Sequence, residues 1–505
     1  MTAPSDDGSA EATLKQHPSV EAGIKGRAFW LLCVMEMWER FAYYGVRVVM
    51  PIYIAQADEP GGLHFSQDDK GTIYAWWSVF QSVLPTFTGG LADRYGYKRT
   101  LAFSVTLKVV GYALMASQRS FWGFFIGVLF LATGTALFKP GIQGSLAHTL
   151  KKGNTSVGWG IFYWLVNVGA MFGPYLAAAL RQIGWNELFY VCAGIVSLNY
   201  LMLFTYPAIE SGADKTESFG AVVVRTFKDF MNARLLMFLT LMAGFWLMMY
   251  QLWDLHPNFI VDWVDSSAMV GAVPGWMTHE TERGQQVLQE HLLNINATLI
   301  VLVIVPISAL VRKIKTLRAM LGGMIVATLG VLVAGLTQSG WVLALGVVLF
   351  SLGEMLTGPK KNEYLGLIAP PGKKALYLGY VNIPVGVGTF IGAKLAGWLY
   401  GDYGEKATLA LKYLAQHTDY LETHDRPVWN GEVDTLERTV GVDRSEAMNT
   451  LVEVVGESHQ ALTDTLWTTY QPYRVWYVFA AIGVLSTIGL VFFNRAASKW
   501  KDMDY

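Results

Sequence analysis

The sequence predicts an all-α membrane protein with twelve transmembrane helices in two six-helix bundles and an extramembrane (periplasmic or extracellular) insertion between spans 11 and 12. Three observations carry that expectation. Twelve segments approach the roughly 20 apolar residues that a bilayer crossing needs. Lys and Arg gather in every second connection between them. Of the 505 residues, 53% are hydrophobic and only 15% charged, against about 25% charged in an average soluble domain. The same numbers exclude other classes. Apolar content this high is incompatible with a disordered chain. Two cysteines, Cys33 and Cys192, make no disulfide framework. A net charge of -1 lacks the basic footprint of a nucleic-acid binder.

The spans read 28–57, 70–91, 100–117, 121–146, 157–181, 187–207, 235–261, 292–311, 317–337, 340–369, 375–400 and 472–494. The first 27 residues are polar, with no apolar core that would make a signal peptide. Orientation follows from the basic loops. Lys15, Lys25 and Arg27 lie in the tail, Arg94, Lys98 and Arg99 in loop 2–3, Lys151 and Lys152 in loop 4–5. Lys215, Arg225, Lys228 and Arg234 lie in loop 6–7, Arg312, Lys313, Lys315 and Arg318 in loop 8–9, Lys373 and Lys374 in loop 10–11. The alternation expects both termini in the cytoplasm of a multi-pass protein of the cell (inner) membrane, with the lipid bilayer as its surroundings. It divides the chain into a polar tail (1–27), a first bundle (28–207), a cytoplasmic linker (208–234), a second bundle (235–495) and a second tail (496–505). Two opposite-side loops are long, 262–291 and 402–471. The second holds thirteen acidic residues against five basic ones. Its stretches Ala407–Ala415 and Glu446–Leu466 have helical apolar spacing, so short amphipathic helices are expected there.

Charges within the spans point to function, because each costs about 2.5–3.5 kcal/mol at the bilayer centre on insertion scales. In span 1, Glu36, Glu39, Arg40, Tyr43 and Arg47 fall at offsets 0, 3, 4, 7 and 11, one face of one helix. Two carboxylates beside one guanidinium leave a surplus negative charge, which calls for a cation from another helix or for a proton. Lys139, late in span 4, is the candidate cation. Lys108 and Lys394 lie close enough to loops for their heads to reach water. Glu354 sits deep in span 10 ahead of Gly358-Pro359, a pair expected to interrupt the helix. Asp254 lies late in span 7. Trp246, Tyr250 and Trp253 form an aromatic stripe there, a pattern commoner in packing than in ligand sites. The sequence has no H-E-x-x-H, no G-x-S-x-G and no metal-spaced Cys or His, so no enzyme, metal or cofactor is expected.

These residues carry a resemblance. Glu36-Met-Trp-Glu39-Arg40-Phe41-Ala-Tyr43-Tyr44-Gly45 is similar to the E-x-x-E-R-F-x-Y-Y-G signature of the proton-dependent oligopeptide transporters, which have the major facilitator fold. Gly89-Gly-Leu-Ala-Asp93-Arg94-Tyr-Gly96-Tyr-Lys98-Arg99 resembles that superfamily's loop 2–3 motif. Phe162-Tyr163-Trp-Leu-Val-Asn167, Gly134-Thr-Ala-Leu-Phe138-Lys139-Pro140 and Gly353-Glu354 resemble further stretches of the family in spans 5, 4 and 10. The resemblance implies a proton-coupled symporter that imports di- and tripeptides by alternating access. It implies that Glu36, Glu39, Arg40, Lys139 and Glu354 couple protons, and that Tyr43, Tyr44, Arg47, Lys139, Asn167, Trp246, Asn296 and Glu354 line the peptide site. Lys139 would pair with the span 1 cluster and hold the peptide carboxylate, and Glu354 would receive its amine. Gly89, Asp93, Arg94, Gly96, Lys98 and Arg99 would form the conformational motif. The chain departs from the family at several points. Tyr250 and Gln251 replace a Glu-Gln pair, Val83 replaces a tyrosine, and Gly141 ends the span 4 motif where the family has asparagine. Asn296 is displaced by one position, and Lys360-Lys361 stand in a stretch the family keeps uncharged. These departures leave open a carrier of another small zwitterion or anion, or a non-transporting nutrient sensor.

Overall fold

A computed structural model describes residues 24, 26–86, 92, 94–150, 155–207, 232–311, 314–369, 377 and 379–497. Among them run twelve long helical stretches. The first six are α1 (Arg27–Ala55), α2 (Gln67–Ser78, continued by a π-helical turn, Val79–Val83), α3 (Tyr97–Ser117), α4 (Phe121–Thr149), α5 (Thr155–Arg181) and α6 (Trp185–Thr205). The seventh stretch is broken into α7 (Ala233–Met249), α8 (Gln251–Asp254) and α9 (His256–Trp263). After a hairpin of β1 (Thr278–Thr281) and β2 (Gly284–Val287) come α10 (Gln289–Val311), α11 (Thr316–Gly335), α12 (Gly340–Ile368) and α13 (Asn382–Tyr403). The insertion holds α14 (Lys406–His417), α15 (Tyr420–Thr423), α16 (Leu436–Val440), α17 (Ala447–Val455) and α18 (His459–Tyr470). Helix α19 (Val475–Ala497) closes the second set of six. Nine helices among the described residues are long and apolar enough to cross a membrane. Charges weaken the apolar signal of α1 and polar or small residues that of α13, while α2 is only 12 residues long before its π-helical turn.

Helix starts follow their caps. Ser66 and Asp69 form a reciprocal capping box at α2. Ser120, Asn232 and Ser458 accept backbone N–H groups at the starts of α4, α7 and α18. Small residues set the helix spacing. A Cβ on Gly71 of α2 would lie 2.6 Å from the Ala393 carbonyl of α13. A Cβ on Gly173 of α5 would lie 2.6 Å from the Phe41 carbonyl of α1. Backbones this close are typical of membrane helix pairs, where small residues admit tight packing.

The expected amphipathic helices of the insertion are present as α14, α17 and α18, which bury Leu409, Leu411, Leu414, Leu451, Leu462 and Leu466. Gly441 and Gly456, at φ of +75° and +79°, end α16 and α17 in the left-handed conformation that glycine reaches without strain. The other long loop contains a β-hairpin instead, with Thr278 opposite Val287 and Thr281 opposite Gly284. Linker residues 208–231, loop lysines 151, 152, 373 and 374, and tail residues 1–23, 25 and 498–505 lie outside the described residues.

Candidate functional site

One face of α1 supplies the first wall. Arg40 Nε reaches Glu36 Oε1 at 3.2 Å, and the same guanidinium pairs with Glu39. The cation that completes this cluster is Lys108 of α3, not Lys139. Its Nζ lies 2.5 Å from Glu39 Oε1 and 4.0 Å from the Phe138 ring centroid. The expectation that Lys108 reaches water is corrected: the residue is 1% exposed. Gly134 of α4 makes this possible, since a Cβ there would sit 2.6 Å from Lys108 Cγ. Lys139 makes no ion pair among the described residues and instead lines a central cavity.

That cavity lies between the two sets of six helices. From the first set it is lined by Arg40, Tyr43, Tyr44, Arg47, Lys139 and Asn167. Trp246, Asn296 and Glu354 line it from the second. Every residue expected at the substrate site is therefore on its wall, although those residues come from six separate helices. Glu36 and Glu39 are absent from the lining and lie buried behind Arg40. Asn296 Nδ2 donates to Glu354 Oε2 at 2.9 Å and to Ser351 Oγ at 3.0 Å, which holds the carboxylate in place from α10. The Asn167 amide donates to the Tyr163 carbonyl at 2.8 Å. Pro359 is carried inside an unbroken α12, so the expected interruption after Glu354 does not occur. The break falls in the seventh stretch instead, around Tyr250 and Leu255.

Several wall residues were not legible beforehand. Gln81, in the π-helical turn, hydrogen-bonds the Tyr43 hydroxyl at 2.9 Å. Its polarity within an apolar run is the signal that was available. Asp254, 2% exposed, pairs with Arg47, whose guanidinium also lies 4.2 Å from the Tyr74 ring centroid and 4.8 Å from that of Trp77. This bond joins the two sets of helices. More such bonds lie toward the insertion: Gln56 to Asp262 at 2.8 Å, Lys70 to Asn258 at 2.7 Å, Arg181 to Glu290 at 2.6 Å and Gln67 to Glu405 at 2.9 Å. From the insertion itself, Arg444 binds Glu405 and donates to the carbonyls of His64 and Phe65 at 3.0 and 2.9 Å.

Of the conformational motif, Gly89 and Asp93 lie outside the described residues. Gly96 takes φ +88° at the start of α3, a conformation that disfavours any side chain. Lys98 Nζ donates to the Tyr206 carbonyl beyond α6 at 2.8 Å, while Arg94 and Arg99 are exposed. No cluster of metal-ligating side chains occurs among the described residues.

Residues 32–392 match the family model described as Major Facilitator Superfamily. The chain belongs to the Major Facilitator Superfamily. Among members with curated names, an uncharacterized transporter of Bacillus subtilis, YclF, is 31% identical over 202 residues, 38% of this chain and 40% of its own length. Dipeptide and tripeptide permease A of Escherichia coli is 30% identical over 190 residues, 35% of this chain and 36% of its own. The chain thus matches well under two thirds of either relative. Solved structures extend the likeness to the whole superfamily fold. A POT family transporter in complex with 5-aminolevulinic acid matches 96% of this chain and all of its own at TM-score 0.69 and 16% identity. The nucleoside transporter NupG matches 92% of this chain and all of its own at TM-score 0.66 and 12% identity.

Proposed function

We propose that this Major Facilitator protein is a proton-coupled symporter that imports di- and tripeptides by alternating access, as a multi-pass protein of the cell membrane with both termini in the cytoplasm. One observation carries the reading. One cavity presents cations from one half, Lys139, Arg40 and Arg47, and a carboxylate from the other, Glu354. A short zwitterion bridges such walls, carboxylate to the Lys139 side and amine to Glu354, with Asn167 and Asn296 as neutral hydrogen-bonding groups. Its binding then ties the two halves together, and that is how cargo biases a rocking motion between them. The family signature in α1 and the permease names of the relatives support the same cargo class.

Proton coupling rests on the Glu36–Glu39–Arg40–Lys108 cluster. It lies directly behind the cavity wall, and Arg40 belongs to both. Protonation of a carboxylate releases Arg40 toward cargo; deprotonation recaptures it. Among the described residues the bonds between halves concentrate toward the insertion, and on this reading that side is the closed one. The deciding experiment is uptake of a labelled dipeptide into proteoliposomes with an imposed inward proton gradient. Accumulation above the equilibrium level is expected, with collapse on adding a protonophore. Uptake that ignores the gradient ends the symport assignment, and binding without any uptake makes the chain a sensor. A second reading, a carrier of a different small zwitterion, is favoured by Tyr250 on the cavity wall, a departure from the Glu-Gln pair of the transporter signature that the chain resembles.

A further inference from the structure

The proposed mechanism leaves one buried cation unused. Lys361 of α12 is 6% exposed and has no hydrogen-bond or ion-pair partner among the described residues. Its Nζ lies 4.2 Å from the ring centroid of Trp246, which lines the cavity. The charged groups whose fields reach it are Glu354 and Lys139, the two groups assigned above to the cargo's ends. Lys360, its neighbour, is already satisfied by Glu363 at 2.9 Å. Two further features surround Lys361. The indole N–H of Trp246 is buried with no acceptor. Gly358 lies between Glu354 and Lys361 on the same helix face, at offsets 4 and 7 from Glu354. A Cβ built on it would meet nothing within 4 Å. The face between the carboxylate and the ammonium is therefore open, and both orphan groups beside it are donors.

The charge balance points the same way. Arg40, Arg47 and Lys139 line the cavity, while Lys108 against Glu39 and Lys361 against Trp246 lie behind its wall, five cations in all. Glu36, Glu39, Asp254 and Glu354 are four anions. Arg47 is matched by Asp254 and Glu354 is held by Asn296, so a cargo with balanced charge leaves Lys361 uncompensated. A buried ammonium without a counter-charge is costly, and a cargo carboxylate removes that cost only in the bound state.

We infer that Lys361 and the Trp246 indole form a second anion subsite, which selects cargo bearing an acidic group beyond its terminal carboxylate, such as a dipeptide with a glutamyl or aspartyl side chain. This rests on the carrier reading and narrows it to acidic cargo. A charge-assisted hydrogen bond of this kind corresponds to about tenfold or more in affinity.

The test is ligand-induced thermal stabilisation of the purified full-length protein, with Ala-Glu and Ala-Gln as one pair of probes and glutarate and butyrate as another. Ala-Glu should bind about tenfold or more tightly than Ala-Gln. Lys361→Gln should erase that difference and Lys361→Arg should keep it. The melting temperature of each variant without ligand reports whether it folds. Equal binding of the acidic and neutral member in both pairs overturns the subsite. So does a preference that survives in Lys361→Gln. If neither peptide binds, but glutarate exceeds butyrate and loses that advantage in Lys361→Gln, the peptide reading fails while the subsite stands.

Discussion

Asp254→Asn tests the bond between the halves most directly. The substitution keeps the shape of the side chain but removes the only acidic group paired, among the described residues, with Arg47, a guanidinium 7% exposed. Breaking a buried ion pair by deleting one partner costs about 3–5 kcal/mol. The rings of Tyr74 and Trp77 stay against the guanidinium and offset about 1–2 kcal/mol of that. The cost falls on the arrangement closed toward the insertion, because opening that side admits water to Arg47. A net penalty of about 2 kcal/mol moves the ratio of closed to open molecules by about 30-fold. Spin labels on Glu187→Cys and Glu457→Cys, both exposed positions on opposite sets of helices, report the separation by double electron–electron resonance. Cys33 and Cys192 are buried and do not compete for label. Asp254→Asn should add a long-distance population absent from the parent. Replacing both partners, Arg47→Leu with Asp254→Leu, should restore the short distance, since removing a buried pair together is close to neutral. An unchanged distribution in Asp254→Asn refutes the assignment of this pair as a closing contact. An equal opening in the double variant shows that charge is not the cause.

Other outcomes follow from the same site. Lys139→Ala should abolish acid-driven uptake while leaving counterflow exchange, because cargo can still cross with cargo; normal accumulation against a gradient removes Lys139 from the mechanism. Glu354→Gln should weaken free-amine dipeptides by about 1–3 kcal/mol and affect amino-blocked ones less, so equal losses in competition assays count against direct contact. Lys108→Met leaves Glu39 buried without its 2.5 Å donor and should lower thermal stability by about 3–5 kcal/mol, with Glu39→Gln in the same chain recovering part of the loss. Gly71→Ala drives a methyl to 2.6 Å from the Ala393 carbonyl and should cost about 1–3 kcal/mol by overpacking. A melting temperature equal to the parent's would show that α2 and α13 separate freely.

The alignment of Glu36, Arg40, Tyr43 and Arg47 on one face was legible because helical periodicity is a local property that needs no partner. The helices of the insertion were legible for the same reason, since the apolar spacing of Ala407–Ala415 marks a face that must be buried somewhere. The hairpin at Thr278–Val287 was not, because two four-residue strands carry too little alternation to stand out. The break at Tyr250 was hidden as well, as no glycine or proline stands there, whereas Pro257 in the first turn of α9 was a signal for the break at Leu255.

Lys108 and Lys139 divide the two sources of information most clearly. The sequence by itself determined that Glu36 and Glu39 sit beside a single guanidinium, Arg40, and so that a further cation or a proton must answer them. It led to the expectation of twelve spans, oriented by their Lys and Arg, and to the residue types on the cavity wall. Which lysine answers the carboxylates was a matter of packing between helices far apart in the chain. Gly134 leaves a channel that guides Lys108 inward to Glu39, whereas Lys139 is left facing the cavity. The partners of Asp254 and the isolation of Lys361 were decided the same way. A flexible charged side chain can reach water or a distant helix with equal ease, and only the surrounding atoms, placed by residues tens or hundreds of positions away, make one of those directions possible.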